Sequence, residues 1–521
     1  MKQLKKSSVW LAPVIIILIG IGILFMENYA QVTEPPSDGW SRELQVGMTP
    51  NVSEPYLSAD DSGNWSIAYI TEDGVRQHTY DRQFEQISET SFDIPVNQYT
   101  QIFLGEDAFI YSDYYALYNG DNSEEITDIQ KFYPLADTAY YRKDNVIYHL
   151  DPSTLGSEQI LTVDSENTEV IIEQKNEETH ILTNTIDQTG NHLTFYTVSG
   201  NEATEKGAAV FTLTGTEEVQ DIQFALDDNS YALLVKTLQK QSMSGKVSNQ
   251  YYYSEATLGD APDLQRIQFQ DPHGGMALQE ISDVEMQWTE QGASILFKAF
   301  GSTNTRFREP LQFNIYTATL SSSGPLDVKR LSNTPSSSVE PNWINPNTVL
   351  WIDRGNSEEH RVLVSSSNST IIAEAKQLTM PAFLQSLGKT MGMLSTGMFA
   401  VVISLLWFIW PLLFLCVVMF TNSRAMDQDR SWVFYIGALI YIGAAVILND
   451  LMFSSRGMLN APAYLNFTGS AFIYLLGFAL LSYAILKAGL SIRKWSPSIQ
   501  LTYFIGIHVI CITIFFGPYL L

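Results

Sequence analysis

The chain has 521 residues, a formal net charge of −26 and two cysteines, Cys416 and Cys511. This length allows several domains. The strong acidity excludes nucleic acid as an expected partner, because phosphate contacts need Lys and Arg. Both cysteines lie inside apolar runs, so no disulfide framework is expected to support the hydrophilic part of the chain.

The acidic charge is concentrated in one region of the sequence. Residues 27–396 carry 21 Lys and Arg against 53 Asp and Glu, a net of −32, and the remaining residues have a net of +6, which together give −26. Such asymmetry indicates two parts in different surroundings. The acidic part is suited either to solubility in a salty or alkaline medium or to binding cations or a basic partner.

The first apolar run, residues 9–26, predicts a membrane-spanning helix. It has 18 residues without a charge and follows a basic tail, residues 1–8, and this length can cross a bilayer. The run could also be a cleaved signal peptide. We favour an uncleaved anchor, because the best small-residue cleavage site, Asn28-Tyr29-Ala30, has Asn where a small residue is needed.

Four further apolar runs near the C-terminus also predict spanning helices. They cover residues 397–420, 432–448, 470–486 and 501–521. Basic residues lie in the N-terminal tail and in the loops after the second and fourth spans, whereas the loop 449–469 has only Arg456. The positive-inside rule therefore predicts a multi-pass protein of the cell membrane, with its N-terminus in the cytoplasm and residues 27–396 outside.

Between the spans, short alternating runs broken by Gly, Asn, Asp and Pro predict an all-β domain over residues 40–378. Residues 27–39 and 379–396 are predicted to be linkers, the second either lying at the membrane interface or forming an ordinary polar connector. Two segments, Val146–Leu150 and Phe313–Leu320, are predicted to be strands that occupy the third position in a repeated unit.

One pattern recurs along this domain. Thr49-Pro50 leads to Glu54-Pro55-Tyr56 and then to a turn and the strand Trp65–Tyr69. Far downstream, Thr334-Pro335 leads to Glu340-Pro341-Asn342-Trp343 and the strand Thr348–Trp351. An aromatic residue ends one strand, a turn of Asp, Asn and Gly reverses the chain, and a second strand returns through the core.

These residues resemble the TolB-type β-propeller repeat, a relative of the WD-type blade, most closely from Leu331 through Trp343 to Asp353. In place of that family's Ser-Pro-Asp-Gly-like turn the chain has Asn345-Pro346-Asn347. The resemblance covers about two-thirds of the chain when weaker repeats are included, and none of the C-terminal spans. It implies an interaction platform whose ligand is a membrane or cell-envelope protein.

The spacing of the repeats predicts about seven blades. First-strand residues fall near Tyr56, Phe103, Tyr133, Ile171, Phe224, Trp288 and Trp343. Their mean spacing is about 48 residues, typical of a four-stranded blade. The segment Trp40–Val46 is predicted to pair with the last blade and close the ring, which protects the sheet edges.

Sequence motifs for known chemistry are missing. The chain has no nucleophile elbow, phosphate loop, dinucleotide fingerprint or zinc-protease motif. Its Asp-rich turns offer calcium candidates, Asp60, Asp61 and Asp121, although turn chemistry alone explains them and no cofactor is required. His508, in the last span, is either a neutral residue bonded between helices or part of a proton relay.

Three hypotheses for function follow from these observations. The first is a non-enzymatic binding or sensing module that uses the propeller's end face or central funnel. The second is an enzyme acting on envelope polymers, with paired carboxylates in the funnel. The third is an accessory subunit of a membrane export or transport complex, in which the spans matter most.

Overall fold

A computed structural model describes the chain except for residues 1, 60–62, 106–107, 176–177, 201, 214–216, 228, 241–247, 290–291, 322–323, 356–357, 377–378, 454–457, 459–460, 491–493 and 521. The described residues form two compact units. The propeller unit comprises residues 34–304 and 309–377. The helical unit comprises residues 1–33, 305–308 and 378–521.

The propeller unit consists of seven four-stranded antiparallel sheets, so the predicted seven-bladed β-propeller is confirmed. Blades 1 to 3 contain β2 (Tyr56–Ala59), β3 (Trp65–Thr71), β4 (Gly74–Tyr80), β5 (Gln86–Phe92), β6 (Gln101–Leu104), β7 (Phe109–Ser112), β8 (Ala116–Asn119), β9 (Glu125–Asp128), β10 (Lys131–Pro134), β11 (Ala139–Lys143), β12 (Val146–Leu150) and β13 (Ser157–Thr162).

The strands of blades 4 to 6 are mostly longer, many with ten or eleven residues. They are β14 (Glu169–Lys175), β15 (Glu178–Asp187), β16 (Gly190–Ser199), β17 (Glu202–Phe211), β18 (Glu217–Leu226), β19 (Ser230–Gln239), β20 (Ser248–Thr257), β21 (Gln265–Ile267), β22 (Gln279–Thr289), β23 (Gly292–Ser302), β24 (Leu311–Ser321) and β25 (Gly324–Arg330).

Blade 7 closes the ring with strands from both ends of the domain. Its strands are β26 (Ser337–Asn345), β27 (Thr348–Arg354), β28 (His360–Ser366) and β1 (Leu44–Thr49). β1 pairs antiparallel with β28, from Leu44 opposite Val364 to Thr49 opposite His360. The closing strand was expected at Trp40–Val46 and is observed a few residues later. Because the first and last strands share one sheet, no blade is left open.

The hydrophobic core of the propeller lies between neighbouring blades. One cluster joins Phe103 of blade 2 to Tyr141 of blade 3, and another joins Phe195 of blade 4 to Phe224 of blade 5. Trp351 of blade 7 is fully buried in a cluster with residues of blade 6. Each blade therefore buries both faces against its neighbours, as stacked twisted sheets require.

The helical unit contains the apolar segments. Its helices are α1 (Lys2–Val32), α3 (Met380–Gly397), α4 (Phe399–Thr421), α5 (Ser423–Asp427), α6 (Ser431–Ile447), α7 (Ser470–Leu490) and α8 (Pro497–Phe515), with short 3-10 turns at Asn449–Leu451 and Gly517–Tyr519. A short helix, α2 (Ser369–Glu374), belongs to the propeller unit. Four segments are long and apolar enough to cross a membrane, namely 11–32, 380–421, 470–490 and 497–515, and α6 is a shorter apolar helix.

Each predicted span coincides with a helix, but the boundaries differ. The first helix extends beyond residues 9–26 at both ends. Residues 379–396, expected to be a linker, form α3, which Thr379 caps by accepting a hydrogen bond from the N–H of Ala382. The polar side chains Ser386, Lys389 and Thr390 are buried within the helical unit. This burial explains why apolar composition alone did not indicate a packed helix here.

Candidate functional site

The axis of the propeller contains two adjoining cavities. The smaller, about 680 Å³, is lined by residues from all seven blades. The larger, about 1270 Å³, is lined by blades 4 to 7. The two share five lining residues, Glu173, Gln174, Met286, Gln287 and Trp343. They therefore form one channel, which we call the central channel.

The linker that precedes β1 contributes to one part of the channel wall. Asp38, Gly39 and Trp40 line the larger cavity, and Gly39 has a φ of 80°, which favours glycine. Three contacts hold the linker to blades 5 to 7: Ser37 Oγ donates to Arg330 O (2.7 Å), His273 Nε2 bonds Pro36 O (2.8 Å), and Asn333 Nδ2 donates to Glu34 O (3.0 Å). The linker is thus a fixed part of the wall.

Six carboxylates on or beside the first strands interact electrostatically with one another around the central channel. We call them the channel carboxylates: Glu54, Glu173, Asp221, Asp283, Glu285 and Glu340. They come from blades 1, 4, 5, 6 and 7. Three of them, Glu54, Glu173 and Glu285, line the cavities directly.

Backbone bulges position the carboxylates of blades 6 and 7. The pairing of β22 with β23 shifts register around Asp283, and that of β26 with β27 shifts around Glu340. Asp283 and Glu340 have φ angles of 50° and 48°, which are costly for residues with a side chain. Bulges of this kind redirect side chains and often lie next to active or binding sites.

Two of these carboxylates, those of Asp283 and Glu285, link the first strand of blade 6 to the first strand of blade 7. Asp283 Oδ2 accepts a hydrogen bond from the backbone N–H of Glu340 (3.3 Å). Glu285 Oε2 accepts one from the N–H of Trp343 (3.1 Å). Between the adjacent blades 7 and 1, Asn342 Nδ2 donates to Glu54 Oε1 (2.7 Å). These bonds hold the carboxylates of Glu54, Asp283 and Glu285, which belong to blades 1 and 6, against blade 7.

The surroundings raise the pKa of four channel carboxylates. Enclosure by protein atoms is the main cause of the raised pKa of Glu173, and the negative charge of Asp221 adds to it. Enclosure is also the main cause for Glu285, whose pKa is raised further by the charges of Glu54 and Glu173. Enclosure also raises the pKa of Glu54, with Asp283 contributing. Burial, followed by the charges of Asp283 and Glu54, raises the pKa of Glu340 to about 7.

Lysine side chains neutralise only part of this negative charge. Lys298 Nζ lies 2.7 Å from Asp283 Oδ2, and both side chains are about four-fifths buried. On blade 3, Lys131 interacts with the charges of Glu169 and Asp221, and burial lowers its pKa. The described cluster thus retains a negative excess, which a bound cation would relieve.

Two polar atoms in the channel wall have no hydrogen-bond partner among the described residues. They are Nε1 of Trp343 and Oε1 of Gln174, and both residues line both cavities. The indole N–H can only donate and the amide oxygen can only accept. Both atoms are enclosed by protein, so each leaves a polar group of the wall unsatisfied in this structure.

The residues described here contain no group of three or more His, Cys, Asp and Glu arranged to hold a metal ion. The predicted calcium candidates Asp60 and Asp61 lie outside the described residues. Asp121 is exposed in the turn between β8 and β9, where Asn119 Oδ1 accepts the N–H of Asp121 (2.9 Å). That contact is ordinary Asx-turn chemistry.

One buried polar side chain of the helical unit, His508, is bonded to two other helices. His508 lies on α8, where its Nδ1 is 2.9 Å from the hydroxyl of Tyr441 and its Nε2 is 3.0 Å from Leu475 O. Because a carbonyl only accepts, Nε2 carries the proton and Nδ1 accepts from Tyr441. This arrangement matches a neutral histidine that links α6, α7 and α8.

Sequence reasoning missed the identity of the channel residues, although part of their signal was visible. Glu54 and Glu340 both occupy the acidic position before proline in the repeated pattern, Glu54-Pro55 and Glu340-Pro341. That equivalence could have placed two carboxylates at matching positions of adjacent blades. Glu173, Asp221, Asp283 and Glu285 carry no comparable motif, because their convergence depends on ring closure between distant segments.

No protein-family model matches the chain, and no curated protein is significantly similar to it. Solved structures resemble it at low similarity. The alpha-L-arabinofuranosidase of Fusarium graminearum, solved with arabinobiose, is 12% identical over 63% of this chain and 97% of its own, with a TM-score of 0.33. A chain of the mitotic checkpoint complex is 12% identical over 62% and 93%, with a TM-score of 0.31. A chain of the complex of Drosophila Plexin A with Semaphorin 1b is 7% identical over 63% of this chain and 87% of its own, with a TM-score of 0.31. These likenesses concern the fold alone and carry no argument about function.

Proposed function

We propose that the protein is an integral membrane protein that displays its propeller on the outer face of the membrane and binds a basic partner in the central channel. The observation that carries the binding proposal is that three carboxylates line the channel and three more add their negative charges to them. The raised pKa values of Glu173, Glu285, Glu54 and Glu340 indicate that their charges are costly in the unliganded protein.

The exposed surface of the helical unit supports membrane insertion. Among the described residues, all but seven of the exposed large apolar side chains belong to this unit, including Phe420, Ile447 and Leu480, each more than 70% exposed. Apolar surface of this extent is unfavourable in water and suited to lipid. The basic loops then orient the helices so that the propeller lies outside.

Contacts of α1 within the helical unit support its retention as an anchor rather than its cleavage. Asn28 Nδ2 donates to Thr390 Oγ1 of α3 (3.0 Å), and Glu27 accepts hydrogen bonds from the hydroxyls of Tyr464 and Tyr519. Leu24 is buried in the core of the unit. Removal of α1 would deprive the buried side chains of Thr390 and Tyr519 of these bonds, which costs free energy.

The shape and chemistry of the channel favour an elongated organic cation over a chelated metal ion. A metal site needs several oxygen ligands around one point, and the described residues offer no such group. The channel carboxylates are instead distributed over five blades along two adjoining cavities. A basic peptide segment, whose ammonium or guanidinium groups are spaced along a chain, matches that distribution. The TolB-type resemblance remains a prediction and agrees with a platform for a protein partner.

The test is calorimetric titration of the full-length protein in detergent with hexalysine and with spermine at two salt concentrations. We expect binding that weakens with salt. Glu285→Gln, which keeps the side-chain shape, should weaken binding about tenfold, the equivalent of about 1.4 kcal/mol. The matched control is Glu158→Gln, which neutralises an exposed carboxylate on β13 and should leave the affinity unchanged. Absence of binding, or equal losses in both variants, would overturn the proposal.

A second candidate function, hydrolysis of an envelope polymer, is favoured by one observation. Glu340, with its pKa raised to about 7 by burial and by the charges of Asp283 and Glu54, lies next to Asp283, which is paired with Lys298. A carboxyl group of raised pKa beside a second carboxyl group is the pairing that glycosidases use. Glu340→Gln would abolish hydrolysis of such a polymer if this candidate is right.

A further inference from the structure

An exposed aromatic cluster lies at one end of blade 2, separate from the channel carboxylates. It consists of Tyr99, Tyr114 and Tyr115, which we call the tyrosine platform. The side chains are 54%, 54% and 72% exposed. The rings of Tyr99 and Tyr114 lie 5.1 Å apart, and those of Tyr114 and Tyr115 lie 5.1 Å apart at right angles. Three large aromatic rings grouped in solvent are unusual on a soluble surface.

Hydrogen bonds hold the two turns of the platform rigid. Asp113 Oδ1 accepts the N–H groups of Tyr115 and Ala116, both at 3.0 Å. Asn97 Oδ1 accepts the N–H of Tyr99 (2.7 Å), and Asn97 Nδ2 donates to Asp113 O (3.4 Å). The turn before β6 is therefore tied to the turn between β7 and β8. The rings are preorganised, which lowers the entropy lost on binding.

The backbone at Tyr114 is strained. Its φ is 95°, in a region that residues with a side chain rarely adopt. Asp113 and Asn97 stabilise this turn through the bonds described above, and the strained conformation leaves Tyr114 and Tyr115 exposed. Strain retained at an exposed aromatic turn is a feature of ligand-contacting segments.

The platform is adjacent to the central channel. Tyr99 directly precedes Thr100 and Gln101, and both of these line the smaller cavity. The turn before a first strand and the turn between the second and third strands lie at the same end of a blade. A chain-like ligand resting on the platform could therefore extend over this end of the propeller.

The size of the platform indicates the kind of ligand. At these exposures the three rings offer roughly 350 Å², and a specific protein interface needs about 800 Å² from each partner. No other large apolar side chain described in blade 2 is exposed, so the surface does not extend as a protein-binding patch. An area of this size matches one or two sugar rings.

We propose that the tyrosine platform binds a neutral glycan chain of β-linked pyranose rings. Such sugars have flat faces of C–H groups, which are attracted to the negative faces of aromatic rings. The phenol hydroxyls of the three tyrosines have no hydrogen-bond partner among the described residues and can bond sugar hydroxyls. Neutrality of the ligand follows from the acidity of the domain, which repels anionic polymers and anionic lipid.

This inference goes beyond the proposed function, because no channel carboxylate takes part. The experiment titrates the full-length protein in detergent with chitohexaose and cellohexaose, and with α-linked maltohexaose for comparison. We expect binding of at least one β-linked oligosaccharide and weaker binding of maltohexaose. Tyr115→Ala should reduce the affinity about tenfold, which corresponds to loss of one stacking contact. Tyr115→Trp should retain binding.

Two controls keep the result interpretable. Tyr115 is mostly exposed, so Tyr115→Ala should fold with an unchanged melting temperature, and Glu285→Gln in the channel should bind the glycan like the original protein. If neither β-linked oligosaccharide binds, or if Tyr115→Ala binds as well as the original, the inference is wrong. Association of the platform with neutral lipid vesicles alone, lost in Tyr115→Ala, would also overturn it and would identify the rings as a membrane contact.

Discussion

The two units of this protein treat enclosed polar groups in opposite ways. In the helical unit, His508 bonds both Tyr441 and Leu475, and Asn28 bonds Thr390, so these enclosed polar groups satisfy one another. Trp407 Nε1 and Thr513 Oγ1 have no partner among the described residues. In the central channel of the propeller, carboxylates of like charge face one another, and their pKa values rise.

This difference distinguishes polar groups that stabilise the fold from polar groups that a binding site requires. Groups that satisfy one another stabilise a helix bundle and need no ligand. Carboxylates whose charges are only partly compensated lower the stability of the fold, and such arrangements persist where a site requires them. This contrast supports our proposal that the helical unit is an anchor and that a ligand completes the charge balance of the channel.

The largest expected effect concerns the lysine within the channel cluster. Lys298→Met leaves Asp283 without its ion-pair partner, about four-fifths buried, and should lower the free energy of unfolding by about 3 kcal/mol. The control is Arg76→Met, which breaks a pair with Glu89 in which both side chains are about half exposed and should cost less than about 1 kcal/mol. Denaturant unfolding of the full-length variants measures both, and equal losses would contradict the contrast.

The next effect is a pH dependence of the propeller's stability. Burial and the charges of Asp283 and Glu54 raise the pKa of Glu340 to about 7 in the folded state, from its usual value of 4.5. Between pH 4.5 and pH 7 the folded protein therefore binds more protons at Glu340 than the unfolded chain does. The contribution of Glu340 to stability is thus greatest below pH 4.5 and is lost as the pH rises through 7.

Glu340→Gln removes this titration. After allowance for solvent screening, the variant should be about 2 kcal/mol more stable than the original at pH 8 and similar to it near pH 4.5. Urea unfolding at the two pH values gives the comparison. A variant that is less stable than the original at pH 8 would show that the carboxylate of Glu340 is favourably paired.

A smaller effect tests the packing of α1 in the helical unit. A Cβ at Gly20 would lie 1.9 Å from Ile514 Cγ2 of α8, whereas a Cβ at Gly22 meets nothing within 4 Å. Gly20→Leu should therefore destabilise the unit by about 1.5 kcal/mol through overpacking, and Gly22→Leu should be close to neutral. Thermal melts in detergent compare the pair, and equal behaviour would mean that α1 does not pack against α8.

The smallest effect concerns the exposed turn of blade 2. The carboxylate of Asp121 is exposed, and its residue contributes to the turn through its backbone N–H. Asp121→Ala should change the free energy of unfolding by less than about 0.5 kcal/mol. Any rise in melting temperature caused by calcium should be the same in both proteins, and loss of such a rise in the variant would identify Asp121 as a ligand.

Much of the fold could be predicted because it depends on local patterns. The expected third strand Val146–Leu150 coincides with β12, and Tyr56 and Trp343 lie on first strands as expected. Alternating apolar residues and turn residues are readable within a few positions. Helix α3 was missed because Ser386, Lys389 and Thr390 are polar yet buried, and only packing shows this.

The candidate site could be predicted only in outline. A funnel of carboxylates was conceivable from the acidity of residues 27–396. Which carboxylates converge depends on the order of blades around the ring and on the bulges at Asp283 and Glu340. Both features arise from pairing between strands far apart in sequence, which composition and spacing do not specify. The tyrosine platform likewise depends on two turns brought together by the blade.

We propose above all that the helices cross a membrane and that the propeller lies outside it. Both native cysteines are first replaced by serine. A single cysteine is then introduced at an exposed position, either as Glu158→Cys in the propeller or as Asp427→Cys at the end of α5. A membrane-impermeant maleimide added to intact cells should label the Glu158→Cys protein at once and the Asp427→Cys protein only after permeabilisation. The reverse pattern, or protection of both sites in intact cells, would contradict the account.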